Sequence, residues 1–174
     1  LTHNGSASIS MTNSTSTGTL TIGGNLTIAG SGTLRIQESA NSSLSRNQTL
    51  VVNGNFVQSS GTFNLSNESD ANATNGCVAI LQVMGDFIHS GGTISETATS
   101  TAIQTRISLM GTSGTQSLES TGQTGSINFN VATYNAQCVV AATKTFTLSS
   151  GSSMTIGAGT SNPDFSSSDS EVSR

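Results

Sequence analysis

Apolar and polar residues alternate along this chain in short runs, and the runs recur about every 30 residues. One copy of the pattern is LVVNGNFVQSSGTFNL at residues 50–65. An earlier copy begins LTIGGNLTI at residues 20–28, and a later copy begins LQVMGDFIH at residues 81–89. Such a period is typical of solenoids and other repeat proteins, in which each copy is one structural unit.

Each copy contains three short alternating segments, which predict three strands with one apolar face each. Gly23-Gly24-Asn25 and Ala29-Gly30-Ser31-Gly32 separate the segments of the first complete copy, and they predict turns. The apolar face of that copy contains Leu20, Ile22, Leu26, Ile28, Leu34 and Ile36.

The three-strand units predict an all-β fold, a parallel β-helix (β-solenoid) of about five to six coils. One unit cannot bury its apolar face alone, whereas units stacked about 4.8 Å apart place equivalent residues in columns. The predicted interior column contains Leu26, Phe56 and Phe87. The predicted structural corner column, which hydrogen-bonds the turns, contains Asn25, Asn55 and Asp86. An antiparallel β-sandwich is the alternative, but it gives no reason for the long period.

Three regions follow from the pattern. We expect a partial N-terminal coil at residues 1–17, solenoid repeats at 18–159, and a Ser-rich tail or linker at 160–174. The repeat degrades after Arg106, although further strands are predicted near residues 107–109, 127–131, 146–148 and 154–156.

Polar insertions interrupt the copies at residues 37–48, 66–76 and 95–105. Each leaves from the same point of its repeat, so we expect all three at one edge of the solenoid. That edge is either a binding face, as in many repeat proteins, or a place where insertions do no harm.

The composition excludes several classes of partner. Ser and Thr make up about a third of the chain, charged residues only 8%, and the net charge is -4 with five Lys and Arg. Nucleic acid and anionic membrane surfaces are not expected partners, since both require clustered Lys and Arg. No apolar run approaches the roughly 20 residues that span a bilayer, so membrane insertion is not expected either. Because the chain begins at Leu1, we expect a processed protein or part of a longer one.

A Gly-Asn-apolar unit recurs at Gly24-Asn25-Leu26 and Gly54-Asn55-Phe56, and Gly85-Asp86-Phe87 has Asp for Asn. A Ser-Gly-Thr-apolar unit follows at residues 31–34 and 60–63, with Gly91-Gly92-Thr93-Ile94 as its third form. In these units the chain resembles the secreted, adhesin-like β-helix repeats of bacterial cell-surface proteins, especially those of Bacteroidetes. The resemblance implies export, a structural or adhesive role, and no cofactor.

Candidate catalytic residues are few. Nucleophilic catalysis needs a base, and the only histidines are His3 and His89. His89 aligns with Gln58 of the preceding copy, which predicts a stacked, hydrogen-bonded structural pair rather than a pH-sensitive or ligand-contacting site.

The acidic residues Glu38, Glu68, Asp70 and Glu96 lie in or beside the insertions. We interpret them as solvated loop charge, with paired carboxylates for glycoside hydrolysis as the alternative. Neither a metal site nor a cofactor site is predicted, although weak Ca²⁺ binding by Glu68 and Asp70 stays open.

Eight Asn-x-Ser/Thr sequons occur, five of them in or beside the first two insertions. These five candidate glycosylation sites are Asn41, Asn47, Asn64, Asn67 and Asn72. If the source does not glycosylate, they are ordinary polar loop residues.

The cysteines and the threonines give two further expectations. Cys77 and Cys138 lie about two periods apart, so matching positions would be about 10 Å apart, too far for a disulfide within a regular solenoid. Thr19 and Thr21 suggest ice binding, which uses flat rows of threonine on stacked coils. The equivalent residues two coils later, Ile80 and Gln82, interrupt these threonine ranks.

We therefore expect a non-enzymatic, extracellular or cell-surface β-solenoid with a structural or adhesive role, which stacks end to end into a filament. Its partners would be further copies of itself, other surface proteins or glycans. The alternatives are a polysaccharide-active β-helix enzyme and an ice-binding β-solenoid.

Overall fold

The computed structural model describes residues 1–7, 9–11, 17–37, 47–67, 77–99, 103–111, 114–120, 123–125, 127–131, 136–140 and 153–156. Within these residues the secondary structure is strand and turn, without a helix. In chain order the strands are β1 (Thr2–His3), β2 (Ile9–Ser10), β3 (Gly18–Ile22), β4 (Leu26–Ile28), β5 (Thr33–Gln37), β6 (Asn47–Val52), β7 (Phe56–Gln58), β8 (Thr62–Ser66), β9 (Cys77–Val83), β10 (Phe87–His89), β11 (Thr93–Ser95), β12 (Ile103–Leu109), β13 (Gly114–Ser120), β14 (Gln123–Thr124), β15 (Asn128–Val131), β16 (Ala136–Val140) and β17 (Ser153–Ile156).

The strands form three sheets, and the chain passes through them in rotation. Sheet A has the order β1-β4-β7-β10-β13-β16, sheet B the order β2-β5-β8-β11-β14, and sheet C the order β3-β6-β9-β12-β15-β17. Neighbouring strands are parallel, as at β4 and β7, β5 and β8, and β6 and β9. The predicted parallel β-solenoid is confirmed and the antiparallel sandwich is wrong. The coil count of the whole chain stays a prediction.

The register matches the sequence repeat through the middle of the solenoid. Leu26 pairs with Phe56, which pairs with Phe87, and all three side chains are fully buried. The period shortens afterwards, since Leu118 pairs with Val140 only 22 residues later. This shortening explains why the repeat is hard to follow in the sequence after Arg106.

The core is a stack of apolar side chains between the three sheets. The rings of Phe56 and Phe87 are stacked, with centroids 4.9 Å apart and planes 7° apart. Phe129 meets Phe87 edge to face at 6.2 Å. Each buried side chain of this size contributes about 1.5–3 kcal/mol, and a good aromatic pair adds about 0.5–1.5 kcal/mol. Coil stacking is therefore the main source of stability.

The three insertions are centred between a strand of sheet B and the next strand of sheet C. Their predicted bounds are too wide, because strands extend into both ends: Gln37 belongs to β5, Asn47 and Gln48 to β6, Ser66 to β8, Ser95 to β11, and residues 103–105 to β12. They connect β5 to β6, β8 to β9, and β11 to β12. The prediction that they leave from the same point of the repeat is confirmed, and this edge is called the insertion edge below. Most of the insertion residues, and the tail at 160–174, lie outside the described residues.

The first 17 residues contribute two short strands. Thr2 pairs with Thr27, and Ile9 pairs with Leu34, so this segment continues sheets A and B by one strand each. In the described part of the chain, no helix is long and apolar enough to cross a bilayer.

Candidate functional site: the corner ladder and the insertion edge

Asn25, Asn55 and Asp86 each lie immediately before a strand of sheet A, at the corner where sheet C passes into sheet A. The backbone N–H of Asn55 donates to Oδ1 of Asn25 at 2.9 Å, and that of Asp86 donates to Oδ1 of Asn55 at 2.9 Å. One coil further, the N–H of Ser117 donates to Oδ1 of Asp86 at 2.7 Å. These side chains satisfy backbone donors at a corner outside the strand pairing. The three residues form a continuous set of hydrogen bonds, called the corner ladder below.

A column of glycines lies beside the corner ladder because the preceding coil leaves no room for a side chain. A Cβ atom on Gly54 would overlap Oδ1 of Asn25, and one on Gly85 would overlap Oδ1 of Asn55. By contrast, a Cβ atom on Gly24 would have nothing within 4 Å. The glycine in the Gly-Asn unit is therefore required by stacking, not by the turn itself.

Gln116 ends this glycine column, and sequence analysis did not single it out. The residue is 2% exposed, and its backbone position follows Gly85 in the register. Its Nε2 donates to the carbonyl oxygens of Val83, at 2.9 Å, and of Gly85, and its Oε1 accepts from the N–H of Gly111 at 3.1 Å. The side-chain amide of Gln116 thus hydrogen-bonds the backbone at a corner where, in earlier coils, the Gly-Asn unit makes the hydrogen bonds. Its only sequence signal is its position shortly before Leu118, an apolar residue of the interior column.

Gln58 and His89 lie in register inside the solenoid, as the alignment predicts, and both are fully buried. The predicted hydrogen bond between them is wrong. Gln58 Nε2 donates instead to the carbonyl oxygens of Gly61 at 3.2 Å and Thr93 at 3.1 Å. The amide therefore fastens its own turn to the next coil.

His89 makes one hydrogen bond through each ring nitrogen, and its burial favours the neutral form. Nε2 lies 3.3 Å from the carbonyl oxygen of Gly92, so it carries the proton and donates, and Nδ1 then accepts from Oγ of Ser120 at 3.0 Å. Burial lowers the pKa of His89, against smaller opposing effects of the Gly92 carbonyl and the Glu119 charge. A buried neutral imidazole bonded on both sides has no free nitrogen for acid-base chemistry.

Asn64, a candidate glycosylation site, is not available to a sugar. Its side chain is 3% exposed, and Nδ2 donates to Oγ of Ser95 at 2.9 Å and to Oγ1 of Thr97 at 3.0 Å. An N-linked glycan is attached through that nitrogen and needs it at the surface. Because the outward face of sheet B is buried at this strand, we expect no glycan on Asn64; glycosylation at this residue stays a prediction to be tested.

The other candidate glycosylation sites differ in position. Asn47 is exposed at the start of β6, and Asn67 is half-buried after β8. Asn41 and Asn72 lie outside the described residues.

The loop carboxylates are described only in part. Glu96 Oε1 accepts from the N–H of Ala98 at 2.7 Å, a bond within its own turn. Glu38, Glu68 and Asp70 lie outside the described residues. No group of three or more His, Cys, Asp or Glu among the described residues is placed to hold a metal ion.

Cys77 and Cys138 do not occupy matching positions. Cys77 begins β9 in sheet C, whereas Cys138 lies in β16 of sheet A. The premise that they belong to one column is wrong, and the absence of a disulfide between them stays a prediction.

The threonine ranks of sheet C are interrupted where the sequence predicts. Thr19 pairs with Thr49, which pairs with Ile80. Thr21 pairs with Val51, which pairs with Gln82.

Comparisons with protein families, curated proteins and solved structures found no match to this chain.

Proposed function

We propose that this protein is a non-enzymatic, extracellular or cell-surface β-solenoid with a structural or adhesive role. The observation that carries the proposal is the corner ladder. The polar side chains that repeat most regularly along the chain, Asn25, Asn55 and Asp86, all accept backbone hydrogen bonds from the next coil. Polar side chains that bond the next coil in this way hold successive coils in a fixed stack, which suits a stiff structural element.

The buried polar residues support the same conclusion. Gln58, His89 and Gln116 all bond turns or neighbouring coils. His89 and Gln116 are hydrogen-bonded at both of their polar side-chain atoms, whereas Oε1 of Gln58 has no hydrogen-bond partner in the described part of the chain. Buried polar groups that are satisfied as in His89 and Gln116 make a structure rigid and specific.

The mechanism we propose is geometric. The stacked coils hold the insertion edge in a fixed row, and that row contacts a surface protein, a glycan or a further copy of the chain. The resemblance of the Gly-Asn-apolar units to adhesin-like repeats of Bacteroidetes agrees with this role.

One set of measurements distinguishes a binding role from an enzymatic one. We would apply the purified chain to a broad glycan panel, measure retention, and analyse the solution for released sugars. The proposal predicts retention or no effect, without turnover. Polysaccharide turnover that is lost in a Glu68→Gln/Asp70→Asn double variant would establish the enzyme instead. Thermal hysteresis at high protein concentration would establish ice binding.

A matched pair of variants tests the insertion edge where a ligand is retained. In one, residues 70–74 are replaced by Gly and Ser at the same length. In the other, Thr27 and Val57, half-buried on the outward face of sheet A, are replaced by Ser. Binding should be lost in the first variant and kept in the second; the reverse result would move the binding surface to sheet A.

A further inference from the structure

An exposed asparagine precedes a glycine at one corner between sheets C and A. Three successive corners consist of Gly23-Gly24-Asn25, Asn53-Gly54-Asn55 and Met84-Gly85-Asp86. Of these, the second alone places Asn directly before Gly, and Asn53 is exposed. An Asn-Gly dipeptide is especially prone to spontaneous deamidation, because glycine has no side chain to hinder the approach of its nitrogen.

Deamidation of Asn53 would use the backbone nitrogen of Gly54 as its nucleophile. This nitrogen loses its proton and bonds to the side-chain carbonyl carbon Cγ of Asn53. The bond between Cγ and Nδ2 breaks, and Nδ2 leaves as ammonia after taking up a proton. Water then opens the five-membered succinimide at either of its carbonyl carbons, which leaves aspartate or isoaspartate at position 53. The only co-reactant is water.

The stacked corner holds this nitrogen away from the reaction. The N–H of Gly54 donates to the carbonyl oxygen of Gly24, in the preceding coil, at 3.1 Å. The N–H groups of Asn53 and Asn55 are also bonded to that coil, at 3.0 Å and 2.9 Å. Because three consecutive N–H groups are fixed, the nitrogen of Gly54 reaches Cγ of Asn53 only when the corner opens.

We propose that Asn53 is a modification site whose deamidation is controlled by local opening of this corner. The isoaspartate product lengthens the main chain by one carbon atom just before Gly54. A Cβ atom on Gly54 would already overlap Oδ1 of Asn25 and the backbone of Gly24, so the corner has no room for a displaced chain. Modification therefore leaves the corner open, and one contact between coils is lost irreversibly.

Peptide mass spectrometry of the full 174-residue chain tests the proposal. The folded protein and the same protein in guanidinium chloride are incubated at mildly alkaline pH, and peptide fragmentation assigns the change to Asn53. An isoaspartate methyltransferase measures the isoaspartate product. We expect deamidation at Asn53 to be at least about tenfold slower in the folded protein, since only the open corner reacts.

Asn25→Ala tests whether local opening controls the rate. This change removes the oxygen that accepts the N–H of Asn55, while the Asn53-Gly54 dipeptide itself is unchanged. The open corner should become more populated, and deamidation of the folded variant should accelerate by about fivefold or more.

Asp86→Ala is the matched control. It removes the same kind of acceptor at the next corner, where Oδ1 of Asp86 bonds the N–H of Ser117, and it leaves the bonds of Gly54 in place. Deamidation at Asn53 should keep the rate of the unchanged protein. Circular dichroism and urea denaturation establish that both variants fold and lose comparable overall stability.

Three outcomes would overturn the proposal. The first is an equal rate at Asn53 in the folded and unfolded chains, and the second is no deamidation at Asn53 in the unfolded chain. The third is equal acceleration in the Asn25 and Asp86 variants, which would assign the reaction to global unfolding rather than to this corner.

Discussion

At the scale of single residues, Asn55 lies at the centre of the corner ladder, where its Oδ1 accepts a hydrogen bond from the backbone N–H of Asp86. Asn55→Ala removes the only acceptor that this ladder position offers and should lower the free energy of unfolding by about 1–2 kcal/mol. Asn55→Asp keeps an oxygen there, as Asp86 does naturally, and should lose less. Urea denaturation measures all three proteins.

The control for this comparison is Asn53→Ala, because Asn53 is exposed two residues away. Its effect should stay within about 0.5 kcal/mol. Equal losses in the Asn53 and Asn55 variants would show that the corner ladder does not hold the coils together.

Gly85 and Gly24 occupy the same column, but only Gly85 lies against atoms of a preceding coil, so the two glycines form a matched pair. Gly85→Ala forces a Cβ atom onto the Asn55 side chain and the Gly54 backbone, and should cost about 1–3 kcal/mol. Gly24→Ala meets nothing within 4 Å and should be neutral or slightly stabilising. Thermal and urea unfolding of both variants checks the prediction; similar losses would mean that the turn, not the stacking, requires glycine.

His89 makes stability depend on pH. Burial lowers the pKa of His89 in the folded protein from 6.5. As the pH falls below about 6.5, the unfolded chain therefore binds a proton at this residue before the folded protein does. The free energy of unfolding should therefore be flat above about pH 6.5 and fall below it, by at most about 1.4 kcal/mol per pH unit from this group.

The variant His89→Gln isolates this effect, because Gln58 already occupies the equivalent place one coil earlier. Urea midpoints between about pH 5 and 8 should depend less on pH in the variant. Carboxylates contribute equally to both proteins. Identical profiles would show that His89 takes no part in acid destabilisation.

At the scale of strands, the position of a sequon decides whether it can carry a sugar. Asn47 is exposed at the beginning of β6, whereas Asn64 is buried within β8. Expression in a host that attaches N-linked glycans should modify Asn47 and leave Asn64 bare. Mass spectrometry of the glycopeptides measures occupancy, and Thr49→Val, which removes the Asn47 sequon, is the control. Occupancy at Asn64 would contradict the burial of this strand.

The strands are predictable from the sequence where each copy is self-consistent. The alternation at Leu26–Ile28 and Phe56–Gln58, the Gly-Asn units, and the row of insertions all follow from local pattern and a constant period. These features transfer directly because stacking places equivalent residues together.

Features that depend on a neighbouring coil were harder to predict. Gln116 replaces glycine in its column, five residues after Gly111, where the repeat alone would place the corner. The burial of Asn64 depends on what covers the outside of sheet B, and alternation shows only that the residue points outward. Hydrogen-bond partners such as those of Gln58 and His89 likewise require coordinates, since the register gives neighbours but not donor directions.

At the scale of the whole molecule, the described strands set the length over which the coils are stacked. Its sheets A and C have six described strands each, which at about 4.8 Å per coil span only about 25–30 Å. Use of this fold as a long rigid element depends on the coil geometry continuing beyond these strands.

Electron microscopy of the purified chain, at concentrations where it associates, tests that continuity most directly. The account predicts filaments or short stacks with an axial repeat of about 25–30 Å and a 4.8 Å spacing along the long axis. Particles one copy long at every concentration, or assemblies whose 4.8 Å spacing runs across the long axis, would contradict it.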